Sequence, residues 1–192
     1  PFKGTFNGNG YSIYNLLIYK PDKNYAGLFG TISGGYIRDL SIINANITGK
    51  SNTGILAGYS DCNRTNIYKI SISGVINSNY SRNVGGIVGG FCNLSISDSY
   101  SSTNISVIRS KGVGGIVGGT ENEFSEINII NSYFVGEIYA KKGDFIGGLL
   151  GGAIKKNIDC FNINDNPIKI CTCNDLQNIN KNPNKNYILM KD

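Results

Sequence analysis

One short glycine-rich motif occurs five times in this chain, and no other feature restricts the possible folds as strongly. The copies are Ala26-Gly27-Leu28-Phe29-Gly30, Thr53-Gly54-Ile55-Leu56-Ala57-Gly58, Val84-Gly85-Gly86-Ile87-Val88-Gly89-Gly90, Val113-Gly114-Gly115-Ile116-Val117-Gly118-Gly119 and Ile146-Gly147-Gly148-Leu149-Leu150-Gly151-Gly152. Aligned on Gly27, Gly54, Gly86, Gly115 and Gly148, they lie 27, 32, 29 and 33 residues apart. A second element keeps phase with them, an Ile three residues before a small or apolar residue: Ile13…Leu16, Ile37…Leu40, Ile67…Ile70, Ile96…Ser99 and Ile129…Ser132. Asn157…Cys160 holds the same place a sixth time without the Ile, so the array is expected to end there. Self-similarity at a period of 20 to 50 residues signifies a stacked repeat architecture.

A period near 30 suits either a helix pair or one coil of a β-solenoid, and local composition separates them. A helix pair needs two windows of about 12 residues with 3.6 periodicity. Instead, Ser71-Ile72-Ser73-Gly74-Val75-Ile76 alternates with period two, and every unit carries Gly within its apolar core. The two commonest residues, 29 Ile and 27 Asn, are poor helix formers: Ile is stiff at χ1 and Asn competes for its own backbone. Three strands of four to six residues joined by three short turns consume about 30 residues per coil. The expectation is an all-β chain, a right-handed parallel β-helix of about five to six coils with about 30 residues each. It should span residues 1–161, with the Asn- and Lys-rich residues 162–192 forming a cap over the last coil or a linker.

Within such a coil, Leu28, Ile55, Ile87, Ile116 and Leu149 should form an interior stack. Their neighbours Phe29, Leu56, Val88, Val117 and Leu150 should point the other way, against a neighbouring domain, or turn inward as well if the segment bends. The flanking glycines Gly27, Gly30, Gly54, Gly58, Gly86, Gly89, Gly115, Gly118, Gly148 and Gly151 then serve corners that need positive φ or close backbone approach. Ahead of them, Gly4-Thr5-Phe6-Asn7-Gly8-Asn9-Gly10-Tyr11-Ser12-Ile13 reads as two strand-like runs about an Asn-Gly hairpin or tight turn.

These Gly-Gly-Ile-Val-Gly units, with Ile129-Ile130-Asn131-Ser132-Tyr133 and Ile96-Ser97-Asp98-Ser99-Tyr100, resemble GLUG-motif repeats. The opening Pro1 to Ile13 resembles the stretch that introduces such arrays. The resemblance covers roughly residues 1 to 161; Ala57, standing where a closing Gly is expected, departs from it. It implies a β-solenoid segment of a large surface or secreted protein, of the kind found in adhesin-like proteins and in the non-catalytic N-terminal part of some IgA-cleaving metallopeptidases. It implies an extracellular or cell-surface location and no catalytic residues.

The composition narrows the chemistry. There is no His, which removes the usual general base and the commonest zinc ligand. The formal charge of +5 is spread over 18 scattered Lys and Arg, so a nucleic-acid footprint is not expected. No window approaches the roughly 20 apolar residues of a membrane helix, and no membrane insertion is expected. Gly112-x-Gly114-Gly115-x-x-Gly118 superficially suggests a phosphate cradle but lacks the following helix and recurs fivefold, as a structural corner would. Asp39, Asp98 and Asp159 share one repeated place, but Lys69 and Asn131 occupy it in the units between, so these read as turn residues. Glu121, Glu123 and Glu126 read as a solvated loop. No cofactor or metal is expected.

The five cysteines are Cys62, Cys92, Cys160, Cys171 and Cys173. In an exported chain the pairs allowed by coil geometry are Cys62 with Cys92, and Cys160 with Cys171 or Cys173; free thiols are equally consistent with the sequence. Five sequons, at Asn46, Asn63, Asn79, Asn93 and Asn104, are acceptor patterns that abundant Asn, Ser and Thr also produce by chance. The chain opens at Pro1 without the pattern of a signal peptide and reads as part of a longer protein.

The functional expectation is a non-enzymatic solenoid that acts as a stalk or presents a face for adhesion. Its partners would be host glycan or extracellular protein, and neighbouring domains of the same chain. The candidate face is Tyr36, Tyr68 and Tyr139 with Arg38 and Lys141. The alternatives are an accessory solenoid of a large secreted hydrolase and, with less support from its few carboxylates, a carbohydrate-active β-helix.

Overall fold

The computed structural model describes residues 1–79, 81–120, 122 and 124–152, together with strands Ile168–Ile170 and Tyr187–Leu189. All regular structure among them is strand, and every strand pairing is parallel. The first coil holds β1 (Thr5–Asn7), β2 (Ser12–Tyr14), β3 (Leu17–Lys20) and β4 (Phe29–Ile32). The second holds β5 (Tyr36–Gly49) and β6 (Ala57–Ser60), and the third β7 (Thr65–Asn79), β8 (Arg82–Gly85) and β9 (Val88–Phe91). The fourth holds β10 (Asn93–Ser97), β11 (Tyr100–Ile108), β12 (Lys111–Gly114) and β13 (Val117–Gly119). The fifth holds β14 (Glu126–Ile130), β15 (Tyr133–Phe134), β16 (Ile138–Lys141), β17 (Asp144–Gly147) and β18 (Leu150–Gly152). Each coil lies in register on the one before it, for example Arg82 on Lys111 and Lys111 on Asp144, so the chain is a parallel β-solenoid of five coils. Beyond it, β19 (Ile168–Ile170) and β20 (Tyr187–Leu189) pair with each other. The sixth-unit residues Asn157 and Cys160, the boundary at 161, and Cys171 and Cys173 lie outside the described residues.

A coil has five short straight runs, where the composition had suggested three. β5 and β7 look long because the chain rounds two corners within each, at Asp39 (φ 54°) and Asn44 (φ 58°) in β5 and at Lys69 (φ 50°) and Gly74 (φ 147°) in β7; the ladder keeps register at the first and shifts by one at the second, between Ile42 and Ala45. At the first corner one left-handed residue redirects the run while its neighbours keep their pairing. The same device opens the first coil: Asn9 (φ 52°) and Gly10 (φ 78°) turn the chain between β1 and β2. Those two strands do not form a hairpin, because both pair in parallel with β5.

Inward side chains form columns along the axis. Phe6, Ile37, Ile67, Ile96 and Ile129 stack in one, and Ile18, Ile47, Ile76, Ile105 and Ile138 in another. The central members are at most 1% exposed. Phe6, not Ile13, therefore begins the first column; Ile13 stacks on Ile42 and Ile72 one run further on. Each buried Ile contributes about 1.5–3 kcal/mol relative to exposure.

The glycine motif folds back on itself, so that β8 and β12 lie against β9, β13 and β18. Both Ile87 and Val88 are 0% exposed, as are Ile116 and Val117, so of the two arrangements the sequence left open the segment takes the bent one, with both members of each pair turned inward. The register also differs by one from the motif alignment. Ala57 pairs with Val88 and Leu56 bonds to Ile87, which makes Gly30, Gly58, Gly89, Gly118 and Gly151 one column and removes the apparent loss of a closing Gly at Ala57. None of the described motif glycines has positive φ. Their requirement is room: a Cβ on Gly89 would come within 3 Å of the backbone at Asn52 and Thr53, and one on Gly118 within 3 Å of Asn83 and Val84. The left-handed corner lies just before the motif, at Tyr25, Asn52, Asn83, Gly112 and Phe145, with φ between 52° and 68°.

Candidate functional site

The candidate side chains divide between two faces. Tyr36, Arg38 and Tyr68 lie on the face built from β1, β10, β14 and the first runs of β5 and β7, with Arg38 in register with Tyr68 and Tyr36 with Asn66. Tyr139 and Lys141 lie on β16, against Ser106 and Ile108 of β11, two corners away around the coil. No single ligand contact unites all five. The Arg38 guanidinium is held 2.9 Å from the Asp39 carboxylate. Lys69 places its ammonium 5.0 Å from the centre of the Tyr68 ring. The Tyr68 hydroxyl, and then Asp39 and Asp98 on the coils either side, raise the Lys69 pKa. Asp39, Lys69, Asp98 and Asn131 are successive members of one left-handed corner, with φ from 46° to 54°. Asn131 donates its amide to the Asp98 carboxylate. The aspartates are turn residues there.

Asparagine supplies ladders that the glycine pattern did not reveal. The Asn44 amide donates to Asn15 Oδ1 at 2.7 Å and the Asn83 amide to Asn52 Oδ1 at 3.0 Å, one coil apart in each case. Their signal in the sequence is the recurrence of Asn at about the coil period. Tyrosines also pair between coils: Tyr100 with Tyr133 at 4.8 Å and Tyr25 with Tyr59 at 5.9 Å between ring centres. Burial, together with Tyr25 and Asp61, raises the Tyr59 pKa.

Cys62, between β6 and β7, is joined to Cys92, between β9 and β10, by a disulfide with Cα atoms 4.7 Å apart. The separation of 30 residues is one coil, so the two positions stack directly. Asn122 covers the bond, its amide 3.3 Å from Cys92 Sγ. Glu126 lies on β14 beside Asn93; Glu121 and Glu123 lie outside the described residues. Among the described residues no group of three or more His, Cys, Asp or Glu is placed to hold a metal ion, and no helix is long and apolar enough to cross a membrane.

No family profile matches the chain, and no solved structure does. It is similar to three curated proteins. Over 89 residues, 46% of this chain, it is 43% identical to halomucin of Haloquadratum walsbyi, of which the match covers 1%. Over 96 residues, 50% of this chain, it is 35% identical to an immunoglobulin A1 protease of Streptococcus sanguinis, covering 5% of that protein. Over 48 residues, 24% of this chain, it is 48% identical to a putative Gly-rich membrane protein of Evansella cellulosilytica, covering 6%. The chain thus spans only a small fraction of the length of these relatives.

Proposed function

We infer that this chain is a non-catalytic structural or adhesive β-solenoid segment of a larger surface or secreted protein, of the GLUG-repeat type. The observation that carries the reading is where the recurrent residues go. The glycines allow the fold-back to close, the isoleucines fill the columns, and Asp, Asn and Lys turn the corners. What is left facing solvent is mostly Asn, Ser, Thr, Tyr and single charges, with isolated apolar side chains such as Leu17 and Phe124, a surface suited to many shallow contacts with host glycan or extracellular protein. Such contacts gain strength from repetition along an array. Similarity to small parts of far longer proteins, one named as a membrane protein and one as an immunoglobulin A1 protease, supports a segment displayed outside the cell. The cross-coil disulfide is at home in the same oxidising surroundings.

The second reading, an accessory solenoid of a large secreted hydrolase, draws on the similarity to the immunoglobulin A1 protease over half of this chain. In both readings the segment binds or spaces. The test has two parts: labelling of intact producing cells with an antibody to the folded segment, and a screen of the purified segment against glycans and matrix proteins alongside polysaccharide-cleavage assays. Surface labelling with saturable binding and no turnover is expected. Turnover abolished by a single Asp or Glu substitution would overturn the non-catalytic assignment.

A further inference from the structure

The structure sorts the five sequons by geometry. In Asn46-Ile47-Thr48 the Asn is exposed, Ile47 is 0% exposed and Thr48 is half-exposed, so the amide and the hydroxyl project from the same side of β5. Asn104-Ile105-Ser106 repeats this on β11, with Asn104 and Ser106 exposed and Ile105 at 1%. Residues i and i+2 of a strand share a face, so a glycan on either Asn would stand in solvent with its sequon hydroxyl beside it, as a surface acceptor requires. At Asn93, Ser95 shares the outward face of β10 but both are only half-exposed, and in the sequons of Asn63 and Asn79 the pairing is spoiled. Thr65, the hydroxyl partner of Asn63, is 0% exposed and Ser81, the partner of Asn79, is 2% exposed. The Asn63 amide already donates to Ser33, and Asn93 is half-buried beside Glu126.

Asn46 and Asn104 also lie in one outward column, through Val75 of the coil between, so they are two coils apart, roughly 10 Å. The Asn104 side-chain oxygen accepts the Glu137 amide N–H, which leaves its nitrogen as the free end. On the remaining side of Asn46 lies Leu17. Leu17 is 69% and Val75 37% exposed, apolar side chains that flank the amide where the ring of a first sugar would rest.

We propose that Asn46 and Asn104 are N-glycosylation acceptors, and that this column is the glycan-bearing side of the solenoid. The donor class is an oligosaccharide linked to a lipid diphosphate. The C–N bond forms between Asn Nδ2 and the sugar's anomeric carbon as the anomeric C–O bond to phosphate breaks. The lipid diphosphate leaves with the bonding pair, and the amide proton passes to a base of the transferase. The assignment rests on the exported location proposed above. It places the adhesive surface elsewhere around the coil, on the face of Tyr36, Arg38 and Tyr68.

The experiment expresses the whole chain behind a cleavable secretion signal in a eukaryotic cell and reads each sequon by peptide mass spectrometry after enzymatic glycan release in heavy-oxygen water. Occupancy at both Asn46 and Asn104 is expected, well above that at Asn63 and Asn93. Asn46→Gln and Thr48→Ala should each remove one glycan and the same one. A secreted chain with its Cys62–Cys92 bond formed but with either Asn46 or Asn104 empty would overturn the proposal, since the disulfide shows that the coils had stacked. Because the signal is supplied, that failure would leave the natural location untouched; the surface labelling decides it separately.

Discussion

A single methyl group is enough to test the fold-back. An alanine at Gly89 or Gly118 would put its Cβ within 3 Å of backbone atoms of the facing runs, which cannot turn aside as a side chain can. Either substitution should lower stability by about 2 kcal/mol or more by chemical denaturation. At Gly30 the nearest atom to such a Cβ is the Tyr25 carbonyl oxygen at 3.4 Å, and alanine there should cost far less. The corner works by a different rule. Asn83 has φ 57° and donates to Asn52, so Asn83→Ala should destabilise more than Asn83→Gly, by about 1 kcal/mol, because only glycine enters the left-handed region freely. Glycines crowded by close approach and asparagines turned left-handed look alike in a sequence, as both mark a corner. This is why positive φ and close approach both stood open for the motif glycines, and why the left-handed residues before the motif were not singled out.

At the level of strands and ladders, the recurrence of the motif made the all-β parallel stack legible, since only stacking gives five copies the same surroundings. Its exact register was hidden because Thr53-Gly54-Ile55-Leu56-Ala57-Gly58 carries Ile55 where the third and fourth copies carry Gly86 and Gly115. Matching apolar pairs by eye slips that copy by one, whereas the hydrogen bonds match the closing glycines. The corners inside β5 and β7 were equally hidden, because Asp39, Lys69, Asp98 and Asn131 share a backbone conformation and no chemistry. The same ladders predict an alkaline limit. Tyr59 and Lys69 both titrate above their ordinary values, Tyr59 chiefly through burial and Lys69 chiefly through the Tyr68 hydroxyl. A raised folded pKa contributes stability that is complete below the unfolded value and is lost as pH rises through the folded one. Stability should therefore decline above about pH 10, and Tyr59→Phe should remove part of that slope in denaturation curves measured from pH 8 to 11.

For the whole molecule, cooperativity depends chiefly on contacts between adjacent coils, because each coil packs mainly on the ones beside it. The central columns are sealed on both sides, whereas Phe6, Ile13 and Ile18 of the first coil are only partly buried. Ile72→Ala should then cost about 2–5 kcal/mol and Ile13→Ala markedly less. The cysteine pair adds a constraint of another kind: the bond from Cys62 to Cys92 closes a loop of 30 residues, one full coil, and holds the second turn onto the third at the junction of two faces. By chain entropy such a closure stabilises by about 3 to 4 kcal/mol, because the unfolded chain loses that freedom and the folded coils already place the two residues together. Reduction should lower stability by a comparable amount. Cys62→Ser should match the reduced protein, and reductant should leave that variant unchanged. Hydrogen exchange should report the loss first at β6 and β9, nearest the bond, while the isoleucine columns on the far side of the coil stay protected until global unfolding. Equal denaturation curves for oxidised and reduced protein would mean that the stacked coils hold this junction without the bond.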